Sequence, residues 1–298
     1  ANNSNAIIHQ RANPANPQAK GYLGRKGSLS SQAPISLGET FEIDVIFPTF
    51  DIRNDPINRD FVTSSIFGAV EVDKTGTLPQ LTGSDSVYVS TISGSDLANF
   101  NVYAIKDKIG SKNAKFMLSS SHHPHVIPTL TSSNYINVYD NTKWNFSVRV
   151  EPNWDDKLIA NNEKTTASKT YKVIFRGVND LLGTQRNTFE VSSSISNTRG
   201  EAFINSLKRL YAGAQRSGSM SGSVVHRTDI KVLNVRAWAK SIDNASLDKH
   251  NYGKENSGIK NLYQNVTPIE PTNIHLGRRL SQDLPNHLSL ALDWTFND

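Results

Sequence analysis

The 298-residue chain contains no cysteine, which excludes a disulfide scaffold, a Cys-ligated zinc site and a thiol nucleophile. Its formal net charge of +5 is small and scattered, which favours an ordinary solvated surface over a nucleic-acid interface. Apolar residues make up 37% of the chain, which suits a soluble globular protein with one core, and no apolar run approaches the ~20 residues of a membrane helix.

The chain opens with a polar segment over residues 1–36 that contains two Asn-Pro pairs. We interpret it as an extended arm suited to tethering or to contacts with neighbours. The first strong strand follows at 39–47, where Phe41, Ile43 and Val45 alternate with polar residues. Period-two alternation of β-branched and aromatic residues is typical of a half-buried strand.

Further strands are predicted along the chain from the same alternation and from the turn residues between them. In chain order they cover 65–72, 87–92, 100–105, 115–120, 144–151, 171–179, 187–194, 210–212 and 230–238. The one long helix predicted covers 197–210, where Phe203, Ile204 and Leu207 fall at helical spacing. A short helical turn before a strand is the alternative interpretation.

Many short strands, frequent turns and one helix predict an all-β fold in which two antiparallel sheets pack as a jelly-roll sandwich. We predict three parts: an arm over 1–36, the sandwich over 37–250, and a linker over 251–298 that ends in the opening strand of a possible further module.

Four motifs, in this order and spacing, resemble the concanavalin A-like and laminin-G-like jelly-roll family. They are WNFSVRV at 144–150, the strand at 171–178, LYAGA at 210–214 and VRAW at 235–238. Within that family the stretches VYAIKDKIGSKNAKFMLSS and TLTSSNYINVYDNTKWNFSVRVEP are similar to the large structural proteins of tailed-bacteriophage virions.

The resemblance implies a non-enzymatic bacteriophage virion protein of the tail, fibre or capsid decoration. Its expected partners are copies of itself, other virion proteins and a host-surface glycan, without nucleic acid or a membrane span. The expected location is the virion. The alternative is a carbohydrate-binding module of a secreted or cell-surface bacterial protein, and a glycoside-active enzyme is a third candidate.

Two loops carry possible metal ligands. Asp51, Asn54 and Asp55 offer oxygen atoms to Ca²⁺, although nearby arginines oppose a cation. A second loop holds three histidines that lack a legible fourth ligand for zinc: His122, His123 and His125. We predict no cofactor, with calcium at the first loop as the alternative.

Of the tryptophans, Trp144 and Trp238 lie in alternating strands and are predicted to anchor the core. Trp154 lies beside Asp155 in a charged loop, where an indole can stack on a sugar ring. These two residues are the predicted ligand-binding pair.

Glu42 and Asp44 have the i, i+2 spacing that a pair of glycosidase carboxylates can have on one strand. The alternation places them opposite the apolar face of their strand, on the face expected to be solvated. The acid/base strand motif of the sandwich-fold glycosidases does not occur in the sequence, so we predict no catalytic pair and no enzyme.

Overall fold

The computed structural model describes residues 38–49, 61–71, 98–120, 127–153, 170–181, 183–205, 208–216, 224–252 and 290–296. Within these ranges the chain forms thirteen β-strands and two helices. The strands pair into two large antiparallel sheets and one small two-stranded sheet.

The first sheet has six strands in the order β13-β12-β1-β6-β7-β8, and each neighbouring pair is antiparallel. Its strands are β1 (Glu39–Phe47), β6 (Thr142–Pro152), β7 (Thr170–Leu181), β8 (Thr184–Ser196), β12 (Lys231–Trp238) and β13 (Leu290–Thr295).

The second sheet has five strands in the order β5-β4-β3-β2-β9, and the small sheet pairs β10 with β11. These strands are β2 (Thr63–Glu71), β3 (Ala98–Lys106), β4 (Ala114–Ser119), β5 (Leu130–Tyr135), β9 (Lys208–Ala212), β10 (Gln215–Arg216) and β11 (Val224–His226).

The core lies between the two large sheets because apolar residues alternate with polar ones along most of their strands and point inward. Aromatic rings from both sheets meet at its centre, where the ring of Phe116 in β4 lies 4.7 Å from those of Trp144 and Phe146 in β6. Full burial of one such side chain stabilises a fold by about 1.5–3 kcal/mol. This aromatic contact therefore contributes substantially to holding the two sheets together.

The two long edges of the sandwich differ. On one edge β5 meets β8, where the ring of Tyr135 lies 6.0 Å from that of Phe189 and the Tyr135 hydroxyl donates to the Thr188 carbonyl oxygen at 3.2 Å. On the other edge β13 pairs with β12, and no other described strand pairs with its free side. Trp294 and Phe296 on this edge are 48% and 50% exposed.

Helix α1 (Asn197–Asn205) packs Phe203 and Ile204 into the core between the sheets. Helix α2 (Asn244–Tyr252) covers the outer face of the first sheet. There Leu247 of α2, Ile242 and Trp238 form a second apolar cluster, separate from the main core.

The prediction of an all-β sandwich of two antiparallel sheets is confirmed. The jelly-roll connectivity stays a prediction. The helix predicted over 197–210 ends at Asn205, and β9 begins at Lys208. This agrees with the alternative interpretation, a short helical turn before a strand. Helix α2 was not predicted.

The division into three parts stays a prediction. Strand β13, in the segment expected to open a possible further module, pairs with β12 over Leu290–Thr295 and extends the first sheet. The predicted arm over 1–36 and residues 253–289 of the predicted linker lie outside the described residues.

Candidate functional site

Among the described residues, a group of interacting polar side chains lies on the outer face of the first sheet. Strand alternation turns Glu42 and Asp44 of β1 away from the core, and the strand register places Arg236 of β12 opposite Glu42 and Asn145 of β6 opposite Asp44. His250 of α2 approaches this row from above. We call these five residues the outer-face cluster.

One amide group links the two carboxylates of the cluster. Asn145 Nδ2 donates to Glu42 Oε1 at 2.6 Å and to Asp44 Oδ1 at 2.9 Å. An amide NH₂ has two hydrogens, so each carboxylate receives one. Glu42 and Asp44 therefore lie side by side and share a single neutral donor.

Two cations lie close to these acids. Arg236 Nη1 is 3.7 Å from Glu42 Oε1 and 3.8 Å from Asp44 Oδ2, while Lys143 Nζ is 3.3 Å from Asp44 Oδ1. Arg236 also reaches toward β13, where its Nε is 3.4 Å from Asp293 Oδ1. Because Glu42, Asp44 and Arg236 are each only 1% exposed, water screens these interactions little.

Helix α2 closes the cluster from above. His250 Nδ1 lies 3.0 Å from Glu42 Oε2, and its ring stacks on that of Trp238 with 5.0 Å between centroids and an interplanar angle of 6°. Leu247, on the same helix, packs against Trp238. The helix thus brings both an apolar contact and a hydrogen-bonding group to the sheet.

Further polar contacts hold the helix and the segment before it in place. Arg176 Nη2 of β7 pairs with Asp248 Oδ1 at 2.5 Å, and Lys143 Nζ donates to the Asn251 carbonyl oxygen at 2.6 Å. Before the helix, Arg149 Nη1 donates to the Ile242 carbonyl oxygen at 2.9 Å. The outer face is therefore a packed interface between sheet and helix, not a solvated surface.

The two neighbouring carboxyl groups have opposite pKa shifts. Burial disfavours ionisation of Glu42, but the hydrogen bond and charge of His250, together with Arg236 and Asn145, outweigh burial and hold its pKa below the usual value. For Asp44, burial raises the pKa, and the charge of Glu42 adds to this; Lys143, Asn145 and Arg236 only partly oppose it. The cluster therefore favours an ionised Glu42 beside an Asp44 that resists ionisation.

Two carboxyl groups with divergent pKa values are the arrangement that acid–base catalysis uses. Here, however, both side chains are 1% exposed beneath α2, so no substrate reaches them in this conformation. The geometry instead fits a structural task, in which Glu42 anchors the histidine of the covering helix.

The expectation that Glu42 and Asp44 face solvent is wrong. They do point away from the core, but α2 buries them.

Trp144 lies in the core between the sheets, whereas Trp238 is buried with Leu247 in the second apolar cluster, on the outer face of the first sheet. Arg236 shares that outer face, two residues from Trp238 on β12.

The sequence interpretation missed Arg236, Asn145 and His250 as partners of the acids. A signal for two of them was present, because polar residues alternate with apolar ones along β6 and β12, but alternation does not indicate which polar faces are covered.

The other predicted site residues lie outside the described part of the chain. They are the proposed calcium ligands Asp51, Asn54 and Asp55, the ligand-binding pair Trp154 and Asp155, and the histidines His122, His123 and His125. Among the residues that the structure does describe, no group of three or more His, Cys, Asp or Glu could hold a metal ion. None of the described helices is long and apolar enough to cross a membrane.

No protein-family model matches the chain, and searches of curated proteins and of solved structures find no match either.

Proposed function

We propose that the chain is a non-enzymatic structural protein of a bacteriophage virion, in the tail, the fibre or the capsid decoration. It assembles with copies of itself or with neighbouring virion proteins. The proposal rests on the resemblance of the strand motifs and on the character of the β13 edge.

The observation that carries the assembly part is a pair of exposed aromatic side chains at the end of the β13 edge. Trp294 lies in β13 and Phe296 is the residue after its last one, and both side chains are about half exposed. Large aromatic residues are enriched at protein interfaces, and an unpaired edge strand offers backbone groups to another strand. The fitting occupant is the same edge of a second copy, because two antiparallel edges can pair about a two-fold axis.

The burial of the carboxylate pair supports the non-enzymatic part. Glu42 and Asp44 are the one pair whose spacing suggested glycoside chemistry, and both are sealed under α2. Binding of a host-surface glycan through Trp154 and Asp155 remains part of the proposal. A carbohydrate-binding module of a secreted bacterial protein is the alternative.

Assembly is tested by sedimentation velocity of the full chain over a range of concentrations. We expect the wild-type chain to associate and the double variant Trp294→Ser, Phe296→Ser to stay monomeric with an unchanged circular dichroism spectrum. Ile136→Ser is the matched control, because Ile136 is 74% exposed but lies beside the opposite, closed edge. A wild-type chain that stays monomeric throughout, or equal association of all three proteins, contradicts self-assembly through β13.

The glycan part is tested on a glycan array with the wild-type chain and Trp154→Ala. Binding lost in the variant supports the ligand-binding pair. Detection of the chain by mass spectrometry in purified virions tests the location, and its exclusive recovery from the secreted fraction of a bacterium would favour the alternative.

A further inference from the structure

A second buried ion pair links the end of β3, in the second sheet, to the segment that precedes β12 of the first sheet. Lys106 is the last residue of β3, and Asp229 lies between β11 and β12, 123 positions later. Lys106 Nζ donates to Asp229 Oδ2 at 2.6 Å, with side-chain exposures of 0% and 1%. Lysine and aspartate are among the residues least often fully buried, so this pair calls for a physical explanation.

The groups around the pair fix it in place. The ammonium group of Lys106 lies 4.5 Å from the ring centroid of Tyr139 and 4.9 Å from that of Phe61. The Tyr139 hydroxyl donates to the other carboxylate oxygen, Asp229 Oδ1, at 3.0 Å. The backbone N–H of Asp229 donates to Ser64 Oγ at 3.2 Å. Both reacting groups are thus oriented by neighbours from other parts of the chain: Phe61 just before β2, Ser64 in β2, and Tyr139 in the turn between β5 and β6.

We propose that Lys106 and Asp229 are joined by an intramolecular isopeptide bond, an amide between Lys106 Nζ and Asp229 Cγ. This site of covalent modification is independent of the proposed virion function. It would connect the end of β3 in the second sheet to the segment that enters β12 in the first.

The step balances without a co-reactant. One proton passes from the ammonium group to Oδ2 and leaves a neutral amine beside a carboxylic acid. The nitrogen lone pair then attacks Cγ, and the hydrogen bond from Tyr139 stabilises the negative charge that develops on Oδ1. A second proton moves from nitrogen to Oδ2, the Cγ–Oδ2 bond breaks, and one water molecule leaves.

Two physical effects favour the amide over the ion pair at this position. Holding the amine against the carboxyl group replaces an encounter of two separate molecules, which raises the effective concentration of the reactants by orders of magnitude. Burial of two charges is costly, and the amide carries none, so the bond relieves a desolvation penalty that the ion pair must bear.

The molecule provides an internal comparison. Lys143 and Asp44 form another Lys–Asp pair, with Nζ 3.3 Å from Oδ1, but the Lys143 side chain is 21% exposed. Because water can hydrate the Lys143 ammonium group, the ion pair bears a smaller desolvation penalty there, and forming an uncharged amide relieves less of it than at Lys106. We expect no amide between Lys143 and Asp44.

The test is mass spectrometry of the denatured full chain. We expect an intact mass lower than that of the sequence by one water molecule, and a branched peptide that contains both Lys106 and Asp229 after digestion. Lys106→Arg retains the positive charge but removes the nucleophilic amine, so this variant should have the full sequence mass. Tyr139→Phe keeps the ring and removes the hydroxyl, so the cross-linked fraction should fall while the chain still folds.

A wild-type chain with the full sequence mass overturns the proposal and leaves an ordinary ion pair. Loss of water through succinimide formation at Asp229 also overturns it, and is recognised because it persists in Lys106→Arg and yields no branched peptide. A branched peptide through Lys143 and Asp44 would show that burial among aromatic rings is not the determining condition, and would contradict the reasoning.

Discussion

Neutralising Glu42 and neutralising Asp44 should have different effects, although the two residues lie two positions apart on β1 and are equally buried. In Glu42→Gln the side chain keeps its shape, but Arg236 and His250 both lose the negatively charged carboxylate that they contact. Removing one partner of a buried pair typically costs ~3–5 kcal/mol, because the remaining charge stays buried without compensation. We expect a loss of about 3 kcal/mol in the free energy of unfolding.

Asp44→Asn is the matched control. Burial already raises the pKa of Asp44, so its ionised form is held in the fold at a cost that the amide avoids. An amide oxygen can still accept the hydrogen bond from Asn145, and Lys143, which is partly exposed, can turn toward water. We expect a change below about 1 kcal/mol, in either direction, because the hydrogen bond from Asn145 is kept and a typical hydrogen bond contributes only about 1 kcal/mol net.

The measurement is urea unfolding at neutral pH, followed by far-ultraviolet circular dichroism for the wild-type chain and both variants. The variants should share the wild-type slope, so that the shift in midpoint reports stability alone. Equal losses for both variants, or a larger loss for Asp44→Asn, would refute the view that Glu42 anchors the cluster and Asp44 is only tolerated in it.

Three further predictions follow from the same contacts. The pKa of Glu42 is lower in the folded chain than in the unfolded one. The stability that ionised Glu42 contributes is therefore fully present above the ordinary pKa of 4.5 and is lost as the pH falls through the folded value. Urea midpoints measured against pH should show this loss in the wild-type chain and not in Glu42→Gln. His250→Phe keeps the stacking on Trp238 but removes the hydrogen bond between His250 and Glu42. We expect the free energy of unfolding to fall by about 1.5–3 kcal/mol and hydrogen exchange across α2 to become faster. Unchanged exchange would mean that the apolar contacts alone hold the helix. A Cβ at Gly177 would lie 2.3 Å from Phe189 Cε1, so Gly177→Ala should lower the free energy of unfolding by about 1–3 kcal/mol through overpacking, and a wild-type melting temperature would show that the ring moves aside freely.

The strands that the sequence predicted well are those with strict alternation. The interval 39–47 agrees with β1 at both ends, and 144–151 lies within β6, because an apolar residue at every second position has one simple way to reach a core. Strand β5 was missed because LTSSNY contains little apolar material, and only Ser132 in it is buried.

Helix α2 was missed because its sequence, NASLDKHNY, has few apolar residues and no continuous apolar stripe. It is stabilised by contacts with distant residues, through Leu247 on Trp238 and His250 on Glu42. A local signal did exist in Asp243, whose carboxylate accepts from the Ser246 backbone N–H at 2.8 Å, as an N-cap residue does. Without the helix, the sequence could not show that the outer face is covered.

The Lys106–Asp229 pair was beyond sequence reasoning for a different cause. Lys106 is followed in the sequence by Lys108, Lys112 and Lys115, a local cluster of charge that is typical of a solvated surface, and its partner is 123 positions away. Nothing local distinguishes a lysine that β3 carries inside from one that it leaves outside. Such a pair becomes visible only when the strands are assembled.

The outer-face cluster also determines how β1 can align with its neighbours. A slip of β1 by one residue exchanges its two faces and is excluded by the core, but a slip by two residues keeps the apolar side chains inside. That second slip would carry Glu42 away from Arg236 and His250, and Asp44 away from Asn145, and so break the hydrogen bonds and ion pairs that compensate these buried charges. The polar side of the sheet thus distinguishes between alignments that the apolar side would accept, and the correct pairing of β1 depends on a face that contributes nothing to the main core.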